Sequence, residues 1–305
     1  MQTLNELPPL RLATRSGAAQ YQTEFDAPSA TLWGFFNPHG NPCFSPGLLQ
    51  EIRAHDQQFE ESKGLVCSNG EWHQAYYYVA GSRVKGIFNL GGDLALFEML
   101  IRARDRDALL HYGKRCIDCV YPRIRNYFVP NLITISLVQG DALGGGFETA
   151  LASDLIIAEE DATFGLPEIL FNLFPGMGAY SLLNRRLGVK KAEELILSGR
   201  MYAAAELHQM GVVDVLAPRG TGIEVTQNWI RQNRKRRNGM QAIFAARREV
   251  HPITRSEMDA IVQLWVDAAL KLEERDLKMM KRLVSAQARR AGNSDAGGAM
   301  TIAVA

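Results

Sequence analysis

Three short segments of this chain combine glycine with residue types that move protons or hold an anion. The first is Gly140-Asp-Ala-Leu-Gly144-Gly145-Gly146-Phe-Glu148. Consecutive glycines let the backbone approach a ligand closely and expose its N–H groups. A helix that starts there adds a field favourable to negative charge. The second is Phe164-Gly-Leu-Pro-Glu168-Ile, followed by Phe174-Pro-Gly-Met-Gly178, where Pro167 fixes the chain just ahead of Glu168. The third is Phe88-Asn-Leu-Gly91-Gly92-Asp93-Leu, which can offer a second backbone N–H. Alone, either glutamate reads as a surface charge and the third segment as a turn. Together they supply backbone donors for an oxyanion and two carboxyl groups for general acid–base work.

A dinucleotide-binding loop fits less well. Counted from Gly144, the last glycine of G-x-G-x-x-G is Thr149, although an acidic cluster, Glu159-Glu160-Asp161, closes the next strand. The chain has no G-x-S-x-G elbow, no P-loop and no H-E-x-x-H.

The elements that must position these segments alternate. Strands are expected at Ala30–Phe36, Gln74–Ala80, Lys85–Leu90, Leu132–Val138, Leu155–Ala158 and Val212–Leu216. The run ending at Val138 breaks at Gly140-Asp141. Helices are expected at Leu48–Phe59, from about Leu94 with Asp93 as N-cap, from Phe147, at Ala192–Leu197 and at Ala203–Met210. Ser256–Arg290 reads as strongly helical, with Met258, Ile261, Val262, Trp265 and Leu272 on one side. Strands alternating with helices make an α/β core. Residues 1–20 read as a mobile start, and residues 291–305 are too poor in apolar side chains to be held firmly.

With 305 residues, 47% hydrophobic, and a formal net charge of +1, the chain can build a sizeable core and carries no global charge for nucleic acid or a membrane surface. No run reaches the ~20 apolar residues of a bilayer span, and no signal peptide is read at the start, so a cytoplasmic enzyme is expected. Four cysteines make no disulfide framework, and Cys116 and Cys119, a C-x-x-C within helical sequence, read as structural thiols. The only local charge run, Arg231, Arg234, Lys235, Arg236 and Arg237, is either a solvated helix end or a contact for a phosphorylated or acidic carrier.

In order and spacing these segments resemble the crotonase (enoyl-CoA hydratase/isomerase) signature, over roughly residues 30–290. The resemblance implies a repeated ββα spiral core over 21–220, a helical C-terminal region over 221–290, and a homotrimer or a multiple of it. It implies oxyanion-hole amides at Gly92 and Gly145, catalytic carboxyls at Glu148 and Glu168, and no cofactor or metal. The stretches FNLGGDLALF, LVQGDALGGGFE, IIAEE, GLPEILFNLFPGMGAYS and VSAQARR are similar to one branch, the bacterial diffusible signal factor synthases. That branch makes cis-2-unsaturated fatty acids by dehydrating a 3-hydroxyacyl-acyl carrier protein thioester and hydrolysing the thioester. For such a substrate, on acyl carrier protein or CoA, the expected binding residues are Leu143, Gly144, Met177, Trp265 and Leu283. A sensor-kinase receiver domain is a further partner that the resemblance implies. An enoyl-CoA hydratase of β-oxidation and a non-catalytic regulator with the same fold are the competing readings.

Overall fold

The computed structural model describes the backbone at residues 10–11 and 19–293, and side chains at residues 19–285. The expectations for residues 1–20 and 291–305 fall almost wholly outside the described residues.

Short runs of β-branched and aromatic residues form the strands: β1 (Leu10–Arg11), β2 (Tyr21–Asp26), β3 (Thr31–Phe36), β4 (Leu65–Ser68), β5 (Glu71–Gln74), β6 (Tyr77–Ser82), β7 (Gly86–Asn89), β8 (Ile133–Val138), β9 (Gly140–Leu143), β10 (Leu155–Glu159), β11 (Thr163–Gly165), β12 (Met201–Ala203) and β13 (Val215–Ala217). The helices are α1 (Pro46–Glu61), α2 (Leu94–Arg102), α3 (Arg106–Ile124), α4 (Gly145–Leu151), α5 (Ala179–Leu187), α6 (Val189–Ser198), α7 (Ala204–Gln209), α8 (Gly222–Asn233), α9 (Arg237–Val250), α10 (Arg255–Ala269) and α11 (Glu274–Asn293).

Two sheets carry the architecture. The large one has the order β13-β10-β8-β6-β3-β2, the small one β12-β11-β9-β7, and a third pairs β1, β4 and β5. Each coil of the chain lays a strand in the large sheet, crosses within a few residues to the small sheet, and then turns toward a helix or helical turn. The pairs β6/β7, β8/β9 and β10/β11 are three such coils, stacked in parallel register. This is the ββα spiral that the sequence resemblance implied. β8 is buried along its whole length, so it reads as an unbroken apolar run. One face of the large sheet, with Trp33, Ile135, Leu137 and Ile157, packs against α8 through Ile230. The main core lies on the side of α1, α3, α4, α5 and α10.

Three local expectations needed correction. The large-sheet strand ends at Val138, as expected, but Gly140-Asp141 opens a further strand, β9, of the other sheet rather than a turn. The run Gln74–Ala80 is two strands, because Ala75 and Tyr76 leave both ladders to donate to the carbonyls of Gly64 and Ala30. The helical stretch from Ser256 is interrupted between Ala269 and Glu274, where the Glu273 N–H turns to the Asp276 carboxylate at 2.9 Å. The expected cap at Asp93 is present, accepting from the Leu96 N–H at 3.0 Å. Of the basic run, Arg237 stacks on Tyr76, 3.6 Å from the ring centre, while Arg231, Arg234, Lys235 and Arg236 are exposed.

Candidate active site

The strands β7, β9 and β11 run parallel, so their carboxyl ends meet at one edge of the small sheet. The three glycine- and glutamate-bearing segments leave from that edge. Turns and helix starts placed there point N–H groups outward, which is why ligands of α/β sheets gather at this edge.

The first two turns touch. Gly91 has φ +91°, and a Cβ on it would lie 2.7 Å from the Leu143 carbonyl and 2.9 Å from the Gly145 nitrogen. Three hydrogen bonds hold the Gly91–Gly92 turn. The Gly91 N–H donates to Asn89 Oδ1 at 2.8 Å, and the Phe44 N–H donates to the Gly91 carbonyl at 2.8 Å. The Asp93 N–H donates to the Tyr112 hydroxyl at 3.1 Å, and that hydroxyl donates to the Phe44 carbonyl at 2.6 Å. Among the described residues, no hydrogen bond engages the N–H of Gly92 or of Gly145. The latter opens α4 and has no intrahelical acceptor.

Glu148 stands on α4 and is 1% exposed. Its Oε1 accepts the N–H groups of Met177 at 2.7 Å and Ala179 at 2.8 Å. Burial raises its pKa to about 7, against the opposing pull of the N–H groups at 177–179. Glu168 stands on a 3₁₀ turn, Pro167–Phe171. A Cβ on Gly144, which has φ +50°, would lie 2.5 Å from Glu168 Oε1, so only glycine fits beneath this carboxyl. Glu168 Oε2 is enclosed and finds no partner among the described residues. Burial first, and the charge of Glu148 second, push Glu168 up to about 8. The two titrate as a pair. The N–H groups around Glu148 favour its charged form, so the proton the pair holds near neutrality rests on Glu168.

Both carboxyls face a recess of about 600 Å³, part of it open to solvent, lined also by Gly92, Gly144 and Gly145. Of the candidate substrate-binding residues, Gly144, Met177 and Trp265 line it, and Leu143 and Leu283 do not. Alternation along β9 sends Ala142 to the main core and Leu143 to the opposite face, against Ile87 and Leu90. Leu283, on α11, is half-buried against the main core. The apolar part of the recess belongs instead to Phe97 on α2, Tyr112, Gly113 and Cys116 on α3, and Val262 beside Trp265 on α10. The Phe97 ring meets those of Tyr112 and Trp265 edge-on, each at 5.0 Å. A Cβ on Gly113 would lie 2.7 Å from Val262 Cγ1, so this glycine sets how closely α3 and α10 approach. The i, i+4 spacing of Tyr112 and Cys116 was the available signal for this wall. Cys116 and Cys119 are buried free thiols that burial pushes up, hence unreactive.

The family model for enoyl-CoA hydratase/isomerase matches residues 84–287. A probable enoyl-CoA hydratase of Bacillus subtilis (strain 168) is 35% identical over 181 residues, 59% of this chain and 62% of that protein. One of Rhizobium meliloti (strain 1021) is 52% identical over 85 residues, 28% of this chain and 33% of that protein. The chain therefore spans less than two thirds of the length of these relatives. Among solved structures, an enoyl-CoA hydratase from Bacillus halodurans shares the fold with a TM-score of 0.70 at 18% identity, covering 87% of this chain and 100% of that one. Pseudomonas aeruginosa DspI shares it with a TM-score of 0.64 at 19% identity, covering 90% and 97%. Matched by the family model over most of its length, and with the spiral fold that those structures share, the chain belongs to the enoyl-CoA hydratase/isomerase (crotonase) family.

Proposed function

We propose that this protein dehydrates a 3-hydroxyacyl thioester carried on acyl carrier protein and then hydrolyses the thioester, releasing a cis-2-unsaturated fatty acid signal. One observation carries the chemistry: a buried glutamate, Glu148, and a half-buried one, Glu168, face one recess with two backbone N–H groups that no hydrogen bond engages among the described residues. The likeness of the sequence to the diffusible signal factor synthases supports the choice of substrate.

Removal of the C2 proton sends charge to the thioester oxygen, where the N–H groups of Gly92 and Gly145 receive it. Loss of one such donor costs about 3 kcal/mol, or ~100-fold in rate. The C2–H electrons form the C2–C3 double bond, and the C3 oxygen leaves as water with a proton from the second glutamate. In the reverse addition, Glu168 delivers the proton to C2 and Glu148 takes one from water. Elimination uses the same pair with the proton on the other member, so both directions need one carboxylate and one carboxylic acid. In hydrolysis, water attacks C1 with one carboxylate as base, the same two amides hold the tetrahedral oxyanion, and the C–S bond breaks to give acid and thiol.

The same pair also suits hydration of a trans-2-enoyl-CoA, and several relatives are named probable enoyl-CoA hydratases. Mass spectrometry of the purified protein incubated with 3-hydroxydodecanoyl-acyl carrier protein separates the readings. Free 2-dodecenoic acid supports the synthase. Hydration of trans-2-enoyl-CoA with the thioester kept intact moves the protein to the hydratase reading. Turnover of neither substrate leaves a binding role.

A further inference from the structure

A second recess, of about 580 Å³, shares no lining residue with the catalytic one. It lies where α3, α4 and α5 end, beneath α9. Five arginines reach into it: Arg125, Arg185, Arg186, Arg247 and Arg248.

Two of them are committed within the chain. Arg185 grips Glu257 with both arms, at 2.9 and 2.8 Å. Arg186 donates to the carbonyls of Ser153 at 2.9 Å and Val212 at 3.2 Å, with Asp214 at 3.9 Å. Of the other three, Arg247 and Arg248 share a single carboxylate, and Arg125 lines the recess beside them. Asp154 Oδ1 receives Arg248 at 2.8 Å and Arg247 at 3.2 Å. Its Oδ2 is already taken by the Asn126 amide at 2.5 Å and the Thr134 N–H at 3.0 Å. The Arg125 guanidinium has no partner among the described residues. Three guanidiniums against one carboxylate leave two positive charges.

The setting makes that excess matter. The side chain of Asp154 is 3% exposed and anchors the floor, while those of Arg248 and Arg247 are 21% and 42% exposed and open to a ligand. Leu151, Leu182 and Ile253 add apolar wall. Burial pushes the Arg248 pKa downward against the pull of Asp154, and neighbouring Arg247 and Arg125 add to the fall. Guanidinium forks match the oxygens of phosphate, and a fork already fixed by a buried carboxylate loses little freedom on binding.

We propose that this recess binds a phosphate dianion, either free phosphate or the terminal phosphoryl group of a small organic phosphate. Calorimetric titration of the full chain at neutral pH and constant ionic strength, with inorganic phosphate and separately with glycerol 3-phosphate, tests it. One saturable site is expected. Comparable affinity for both assigns the site to free phosphate, and binding confined to glycerol 3-phosphate assigns it to an organic phosphate.

Arg125→Gln removes a guanidinium with no hydrogen bond or ion pair among the described residues, so its melting temperature without phosphate should match the wild type. Its affinity should fall at least roughly tenfold, the loss that one charge-assisted contact carries. Arg247→Lys keeps the charge but loses the fork, and should weaken binding as well. Glu168→Gln should bind phosphate like the wild type. No saturable uptake, undiminished affinity in both arginine variants, or loss of binding in Glu168→Gln would each overturn the proposal.

Discussion

Tyr112→Phe removes one hydroxyl and leaves the ring in place, and it tests how the Gly92 N–H, the proposed oxyanion donor, is held. The hydroxyl ties the Phe44 carbonyl to the Asp93 N–H, and these groups flank the Gly91–Gly92 turn. The side chain is buried, so both backbone groups lose a partner that water does not simply replace. Each such loss costs about 1–3 kcal/mol. The two together, about 2–6 kcal/mol, lower the melting temperature by about 4–24 °C in a chain of this size, at roughly 2–4 °C per kcal/mol. The ring still meets Phe97 edge-on, so no cavity forms. The Gly92 peptide gains freedom, and a misdirected donor forfeits part of its ~3 kcal/mol. A fall in kcat of about 10- to 100-fold is expected, with KM nearly unchanged because the apolar wall is kept. Steady-state kinetics on the acyl thioester, run beside a thermal melt, give the answer. An unchanged kcat with a lowered melting temperature would refute the positioning argument. A raised KM with kcat intact would mean that the hydroxyl contacts substrate instead.

Four further outcomes follow from the same geometry. Glu148→Gln and Glu168→Gln should each lower turnover by about 100-fold or more, as removal of a general acid or base does, and circular dichroism should show both folded. The rate should trace a bell against pH with limbs near about 7 and about 8, set by the coupled pair. Stability should fall as pH rises between about 4.5 and about 8, because the folded protein holds protons there that the unfolded chain has released; Glu168→Gln should flatten that slope in a melt series and be the more stable protein above it. Gly144→Ala, which forces a Cβ against Glu168 Oε1 at φ +50°, should cost about 1–2 kcal/mol of stability but far more in kcat; full activity would show that the Glu168 carboxyl is not held where the structure has it.

Much of this was legible because local chemistry and fold agree. The apolar run at β8, the cap at Asp93 and the glycines before Glu148 each carry a local signal, and each element appears where that signal puts it. The recess wall was harder to read. Leu143 misled because β9 was not seen as a strand, and only the pleat tells which of two adjacent residues faces inward. Tyr112, Cys116 and Val262 come from helices far apart in the chain, and their facing depends on the close passage at Gly113. The pairing of Met177 and Ala179 N–H groups with Glu148 is likewise tertiary, and no spacing rule announces it. The arginine recess gathers residues from α3, α5 and α9, so neither the exposed basic run nor any motif pointed to it.

The candidate active site is a seam between stacked coils rather than a pocket within any one of them, since Gly92, Gly145 and Glu168 follow three different turns of the spiral. Their spacing is set by how closely β7, β9 and β11 lie. At Gly140 a Cβ would run into the backbone of Gly86, its register partner on β7. Any side chain there pries the first two coils apart, at the far end of the strands from the two amides. A displacement of about 1 Å at such distance can cost ~100-fold in rate. This glycine pair therefore works as a spacer gauge, and its chemical effect is felt a whole strand away.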